Sequence, residues 1–411
     1  MQEIELLAPS GNFACLKAAI NAGAKSVYFG VEDLNMRSNA TSNFELKDLK
    51  EISLYCKENN AKAYLTLNTV LYDDDLKKMQ KLCNEAKKAG IDAIIASDIA
   101  AIEYARSIGL NVHISTQLNV SNIEAVKFFA KYAEVIVLAR ELNLEQISSI
   151  CKAIKDQKIK SPSGQDVRIE IFIHGALCVA ISGKCYMSLA QYNLSANRGA
   201  CLQACRRKYR VIEEETNKEL VLDNKYIMSP KDLCTISVLD QIIASGVKVL
   251  KIEGRARPPE YVDTVVTAYK EALKNIAEKT YTKEKIEEWI FRLSKVFNRG
   301  FWHGGYYLGN ELGEWCGSYG SLAKEKKTYV GKATNYFSKI KVAEFLIQSG
   351  SLKVGDEVLI IGNNTGVIKT KIKNLRTDKE ILSAQKGDLV AFPLDEKIKK
   401  NDQLYIIEKN L

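Results

Sequence analysis

The chain has 411 residues, 46% of them apolar and 27% charged, a balance that excludes intrinsic disorder. At about 150 residues per domain, that length predicts two or three folded units. The 59 basic and 50 acidic residues leave a net charge of +9, which permits a nucleic-acid partner without requiring one. No uninterrupted apolar run of about 18 residues occurs, and Met1-Gln2-Glu3-Ile4-Glu5 opens the chain without a basic, apolar leader. The expectation is a cytoplasmic protein without membrane association, with its ten cysteines reduced.

In chain order, short apolar runs rich in β-branched residues predict strands at Ile4–Ala8, Ser26–Gly30, Lys62–Leu67, Asp92–Ala96, Asn111–Ser115, Glu134–Ala139, Arg168–Ile173 and Lys248–Glu253. Helical spacing separates them at Phe13–Ala22, Leu46–Glu58, Asp74–Ala89, Asn122–Tyr132 and Leu144–Ile154. Gly23 and Gly90 stand where helix-ending glycines belong. Eight strands alternating with helices predict an α/β fold, a TIM-like (β/α)8 barrel over residues 1–297. The rhythm breaks once, at 175–247, a long insertion after strand 7 and so on the face where barrel enzymes keep their sites. Helices are predicted at Tyr261–Ile276 and Lys283–Val296, then a Gly- and aromatic-rich extended connector over 298–327. Residues 328–411 alternate in short runs and predict a small C-terminal all-β barrel. From Lys326 onward there are 16 Lys/Arg against 10 Asp/Glu, so most of the net charge lies in this terminal unit.

Five cysteines, Cys178, Cys185, Cys201, Cys205 and Cys234, fall inside the insertion. Cys15, Cys56, Cys83, Cys151 and Cys316 are dispersed, mostly on predicted helices, and read as core. Thiolates gathered in a reducing compartment select zinc or an iron–sulfur cluster, and their spacing does not choose between the two.

The run Glu170-Ile171-Phe172-Ile173-His174-Gly175-Ala176-Leu177-Cys178, with Ser182-Gly183-Lys184-Cys185 after it, resembles the signature of the collagenase-like peptidase family U32. Asn197-Arg198-Gly199-Ala200-Cys201, Ser229-Pro230-Lys231-Asp232-Leu233-Cys234 and Lys251-Ile252-Glu253-Gly254-Arg255 extend the resemblance along the chain. It is similar in particular to the branch of prephenate-dependent tRNA uridine hydroxylases, which make 5-hydroxyuridine at the wobble position. That resemblance implies a 4Fe–4S cluster on Cys178, Cys185, Cys201 and Cys234, with Cys205 as the alternative ligand and zinc as the alternative metal. It also implies prephenate as co-substrate, tRNA or ribosomal RNA as partner, and a second subunit of the same family as a further partner.

Around these motifs, Glu170 and His174 lie four residues apart on one strand and are expected to share a face as acid and base. Gln117, Asn119, Arg140, Glu141 and Arg255, with Arg37, fall at predicted carboxyl ends of strands and are expected to bind substrate. Guanidinium forks suit the two carboxylates of prephenate. Arg206, Arg207, Lys208 and Arg210, beside Tyr209, are expected to meet RNA phosphates. Two other functions are open: peptide hydrolysis, although neither H-E-x-x-H nor G-x-S-x-G occurs, and non-catalytic RNA binding with a structural metal.

Overall fold

Strands buried on both faces need apolar side chains on both, and the eight predicted runs supply them. In the computed structural model, which describes residues 4–39, 43–217, 219–220, 226, 228–311 and 314–410, they form β1 (Glu5–Pro9), β2 (Ser26–Gly30), β3 (Lys62–Leu67), β4 (Ala93–Ala96), β5 (Asn111–Ile114), β6 (Val135–Val137), β7 (Arg168–Gly175) and an eighth barrel strand, Val249–Ile252. Each pairs in parallel with the next, and the eighth pairs with both β7 and β1, closing the barrel. Helix Phe13–Ala22 starts where the Asn12 side chain accepts from the Cys15 amide and stops at Gly23 in the left-handed region. Outward-facing residues such as Leu6, Ala8, Val27 and Phe29 meet the helices, whereas Leu7, Tyr28, Tyr64, Ile95, Val135 and Val249 fill the barrel interior.

That interior also holds charge. Tyr64 donates to Glu5 at 2.6 Å and Arg168 bonds the same carboxylate at 2.6 Å. Lys251 pairs with Glu170 at 2.7 Å, both fully enclosed.

β7 carries the irregularity that matters most. Its register against the eighth strand runs Lys251↔Phe172 and then Ile252↔His174, so Ile173 is an extra residue. A one-residue bulge reverses which face later side chains point to. The expected sharing of one face by Glu170 and His174 is therefore corrected: Glu170 stays inside, and His174 turns outward among Tyr261, Tyr269 and Phe301.

β7 also outlasts β6, whose last partner on it is Glu170. The edge left open is taken by Asp232–Cys234, antiparallel through Leu233↔Gly175 and Cys234↔His174. Phe301–His303 then adds in parallel to that segment. Part of the predicted connector is thus a strand of the barrel's own sheet, because unpaired strand edges seek partners and Trp302 buries its ring there.

The C-terminal residues form a separate antiparallel all-β unit, including Glu325–Phe337, Val342–Ile347, Glu357–Gly362, Gly366–Lys371, Leu389–Pro393 and Gln403–Lys409. Phe345 and Phe392 stack at 5.1 Å in its core. Leu359 and Ile361 pack on Ala14 of the first barrel helix, and Lys327 reaches Glu260 at 2.9 Å. No helix among the described residues is long and apolar enough to cross a membrane.

A cavity of about 570 Å³ lies at this junction, and Asp263 of helix Pro259–Ala277 lines it. Burial pushes its carboxyl up to about 6, against the pull of Arg292 and Lys369. A raised carboxyl favours the folded state only while it holds its proton. Stability is therefore expected to fall as pH rises from about 4, the usual unfolded value, to about 6, and then to level off. Asp263→Asn should add about 1–3 kcal/mol of unfolding free energy above pH 7 and almost nothing near pH 4. Urea titrations at both pH values check this; an equal gain at each would contradict it.

Candidate functional site

The carboxyl ends of the barrel strands open into a cavity of about 200 Å³, roofed by the insertion. Thr66 reaches it from β3 and Asn68 from just after it, Thr116 and Gln117 from the turn after β5, Phe172 from β7, and Lys251, Glu253 and Arg255 from the eighth strand and its loop. Arg140, after β6, lies with its guanidinium 3.8 Å over the Phe172 ring and donates to the Ala176 carbonyl at 3.0 Å. Its buried Nε makes no hydrogen bond, and neither does the Thr116 hydroxyl. Both point to a cavity built to receive acceptor atoms.

Seven cationic side chains line this cavity against one carboxylate, Glu253. Burial pushes the Glu253 carboxyl up, but Arg37, Arg257 and Arg140 together hold it below its ordinary value. Arg37 pairs with it directly at 3.1 Å. Arg255, pulled down to about 10 by burial, donates to the Thr66 hydroxyl at 2.8 Å. A guanidinium stays charged in a protein at neutral pH, so the wall attracts anions, carboxylates above all.

Four of the five clustered cysteines, Cys178, Cys185, Cys201 and Cys205, line the same cavity. Cys178 is exposed and the other three are half-buried. Burial, then Cys178 and Cys201, push the Cys185 thiol up. Cys205 is pushed up by burial first and by all three other thiols, with Arg206 opposing. Cys234 does not join them. It is fully buried on the strand against His174, bonded to Tyr269, and burial pushes it up to about 12. Among the described residues, no three His, Cys, Asp or Glu side chains stand close enough together to hold a metal ion. The four thiols of the cavity wall are the donor type that a thiophilic centre takes, but they are not gathered around one point.

Two glycines make the roof fit. Gly175, at φ +103, lets the end of β7 approach the eighth strand: a Cβ there would lie 2.5 Å from the Glu253 carbonyl. Gly199, at φ +88, brings the Cys201 segment onto the loop after β2, where a Cβ would sit 2.0 Å from the Ser38 hydroxyl.

The expected substrate-binding residues divide. Arg37, Gln117, Arg140 and Arg255 line the cavity, whereas Asn119 and Glu141 do not. Asn119 ties the loop after β5 to the roof, donating to the Gln117 carbonyl at 3.0 Å and the Ser182 carbonyl at 3.2 Å. Glu141 is exposed. Glu170 and His174 stand outside the cavity, and burial lowers His174 to about 3, which keeps it neutral. Arg206 is not free for a phosphate: it bonds the Leu177 and Pro230 carbonyls and the Ser229 hydroxyl, pinning the roof. Arg207, Lys208 and Arg210 are exposed.

Sequence reasoning misses Lys251, Arg257 and Arg299, which complete the cationic wall. A signal existed for two of them. Lys251 lies two residues before Glu253 in the predicted strand Lys248–Glu253, the spacing that shares a face, and Arg257 lies two after Arg255. Nothing local marks Arg299, which meets Asp232 at 3.4 Å through the tertiary fold.

A closed parallel barrel with a thiol- and arginine-lined mouth defines a class of (β/α)8 proteins with a cysteine-rich roof over the active end. Within that class the chain belongs to peptidase family U32, whose model matches residues 11–316. It is 51% identical to a protein named collagenase from Porphyromonas gingivalis, over 100% of this chain and 99% of that one. It is 33% identical to tRNA hydroxylation protein P1 of Bacillus subtilis, over 96% and 92% of the two chains. It is 39% identical to the 23S rRNA 5-hydroxycytidine C2501 synthase of Escherichia coli, over 67% of this chain and 40% of that enzyme.

Removing one partner of the buried Lys251–Glu170 pair leaves an uncompensated charge. Lys251→Met should cost about 3–5 kcal/mol, and Lys251→Met with Glu170→Leu should recover most of it. Denaturant unfolding of both variants measures the difference; a double variant no more stable than the single one would contradict the pairing.

Proposed function

We propose that the chain is an RNA-modifying enzyme that hydroxylates C5 of the wobble uridine of tRNA, with prephenate as the required metabolite. The observation that carries this reading is one cavity walled by buried guanidinium groups on the barrel side and four thiols on the roof side. Arg140 and Arg255 would hold the two carboxylates of prephenate, each charge-assisted bond being worth about 1.5–3 kcal/mol. Arg37 would stay on Glu253, keeping that carboxylate from repelling an anionic ligand. Cys178, Cys185, Cys201 and Cys205 would hold a 4Fe–4S cluster, and such a centre supplies electron transfer or polarisation of a bound ligand. The RNA-hydroxylating relatives from Bacillus subtilis and Escherichia coli, matched across the barrel, support the substrate class.

The 51% identity to a protein named collagenase favours a second reading, peptide hydrolysis. It finds less chemical support: no histidine is among the residues lining the cavity, so its serines and cysteines lack an imidazole base there.

Two measurements test the proposal. Anaerobically purified protein should be brown and contain iron, and Ala at Cys178, Cys185, Cys201 or Cys205 should each remove most of it. Cys234→Ala should retain the iron; folded Cys234→Ala protein without iron, beside iron-loaded Cys205→Ala, would reverse the ligand assignment. Mass analysis of tRNA nucleosides from a deletion strain without paralogues should lose 5-hydroxyuridine derivatives. Re-expressed Arg140→Ala should restore under about a tenth of them, as loss of one such bond implies. Unchanged nucleosides in the deletion strain would remove the tRNA reading.

A further inference from the structure

The roof of the cavity has an outer surface unlike that of an ordinary loop. Within the segment from Ile181 to Leu202, six large apolar side chains are exposed: Ile181, Tyr186, Leu189, Tyr192, Leu194 and Leu202. Tyr186 is the most open, at 69%. The loop after β3 adds Tyr72, 59% exposed, across a bridge formed by Arg198. Several exposed apolar side chains on one segment beside a cavity mark a place where something docks.

The arrangement of cations identifies the chemistry of that occupant. The Arg198 guanidinium lies 3.9 Å over the Tyr72 ring and is locked there by Asp75 at 2.7 and 3.4 Å and by the Val70 carbonyl at 3.0 Å. Arg207 lies 5.0 Å over the Tyr192 ring and also bonds its hydroxyl. Each of these tyrosines is thus backed by an arginine while the residue stays exposed, Tyr72 at 59% and Tyr192 at 37%. A ring held rigid in this way loses little conformational freedom when a flat partner stacks on it. Exposed Lys208 follows directly in sequence, and the cavity behind the rim is cationic. The four exposed aliphatic side chains would also serve a protein partner, but flat rings backed by guanidinium groups, beside a cationic hole, favour splayed bases on a phosphate chain.

We infer that Tyr72, Tyr186 and Tyr192 form a stacking platform that grips unpaired bases flanking the target nucleotide while that nucleotide enters the cavity. The inference rests on the RNA reading above and deepens it. It relocates recognition from the Arg206–Arg210 run, whose first arginine is consumed by the roof, to an aromatic rim.

Binding to a fluorescent RNA hairpin with a single-stranded pyrimidine loop, and to a fully paired duplex of the same length, tests this on the full-length protein. Tyr186→Ala and Tyr192→Ala should each weaken hairpin binding roughly tenfold and leave duplex binding unchanged. The slope of affinity against salt should stay at the wild-type value, because stacking releases no counterions. Tyr192→Phe should bind as wild type, and all three variants should keep wild-type melting temperatures. Lys208→Ala, by contrast, should lower the salt slope by about one. Alanine variants that bind the hairpin as wild type, in a protein that still modifies tRNA, would overturn the platform and leave the RNA reading standing. Wild-type protein that binds neither RNA and leaves tRNA unmodified would overturn both. Alanine variants that keep RNA binding but lose a co-purifying protein would assign the rim to a protein partner and also overturn it.

Discussion

Burying many guanidinium groups around one cavity is costly unless each finds an acceptor, and the mouth of this barrel is organised around that constraint. Glu253 takes Arg37 and lies in the field of Arg140 and Arg257. Asp232 takes Arg299, the Thr66 hydroxyl takes Arg255, and backbone carbonyls of the roof take Arg140 and Arg206. The roof is therefore held down by the very cations that charge the cavity. A cavity assembled in this way is positive by construction, and four thiols line it as well.

The bulge in β7 divides that active end from its support. Before it, side chains point inward to the Lys251–Glu170 pair and to Phe172 beneath Arg140. After it, His174 turns into an aromatic nest and Cys234 pairs beside it. One inserted residue thus turns His174 away from the cavity and into packing duty beside buried Cys234. A neutral, enclosed His174 suits that duty, since a charged imidazole there would find no carboxylate among its ring contacts.

The antiparallel unit at the carboxyl end is seated on the first barrel helix, through Leu359 and Ile361 on Ala14. Several of its lysines are spent on nearby carboxylates, among them Lys327 on Glu260 and Lys341 on Asp395. Its positive balance is accordingly a weaker guide to an RNA path than the aromatic rim of the roof.

The eight-strand rhythm, the insertion after strand 7 and the clustering of cysteines were all legible in the residues. Apolar periodicity reports burial directly, and burial of both strand faces leaves few folds to choose from. Arg37, Arg140, Arg255 and Gln117 were legible for a related reason: in a parallel barrel, position after a strand already fixes which end a side chain serves. Which thiols meet, and which way His174 points, belonged to the tertiary structure alone. A single bulge changes the parity of a strand without altering its composition, and spacing within a long roof says nothing of where its ends are pinned. Arg299 and the aromatic rim were hidden for the same reason, being assembled from segments that only the folded chain brings together.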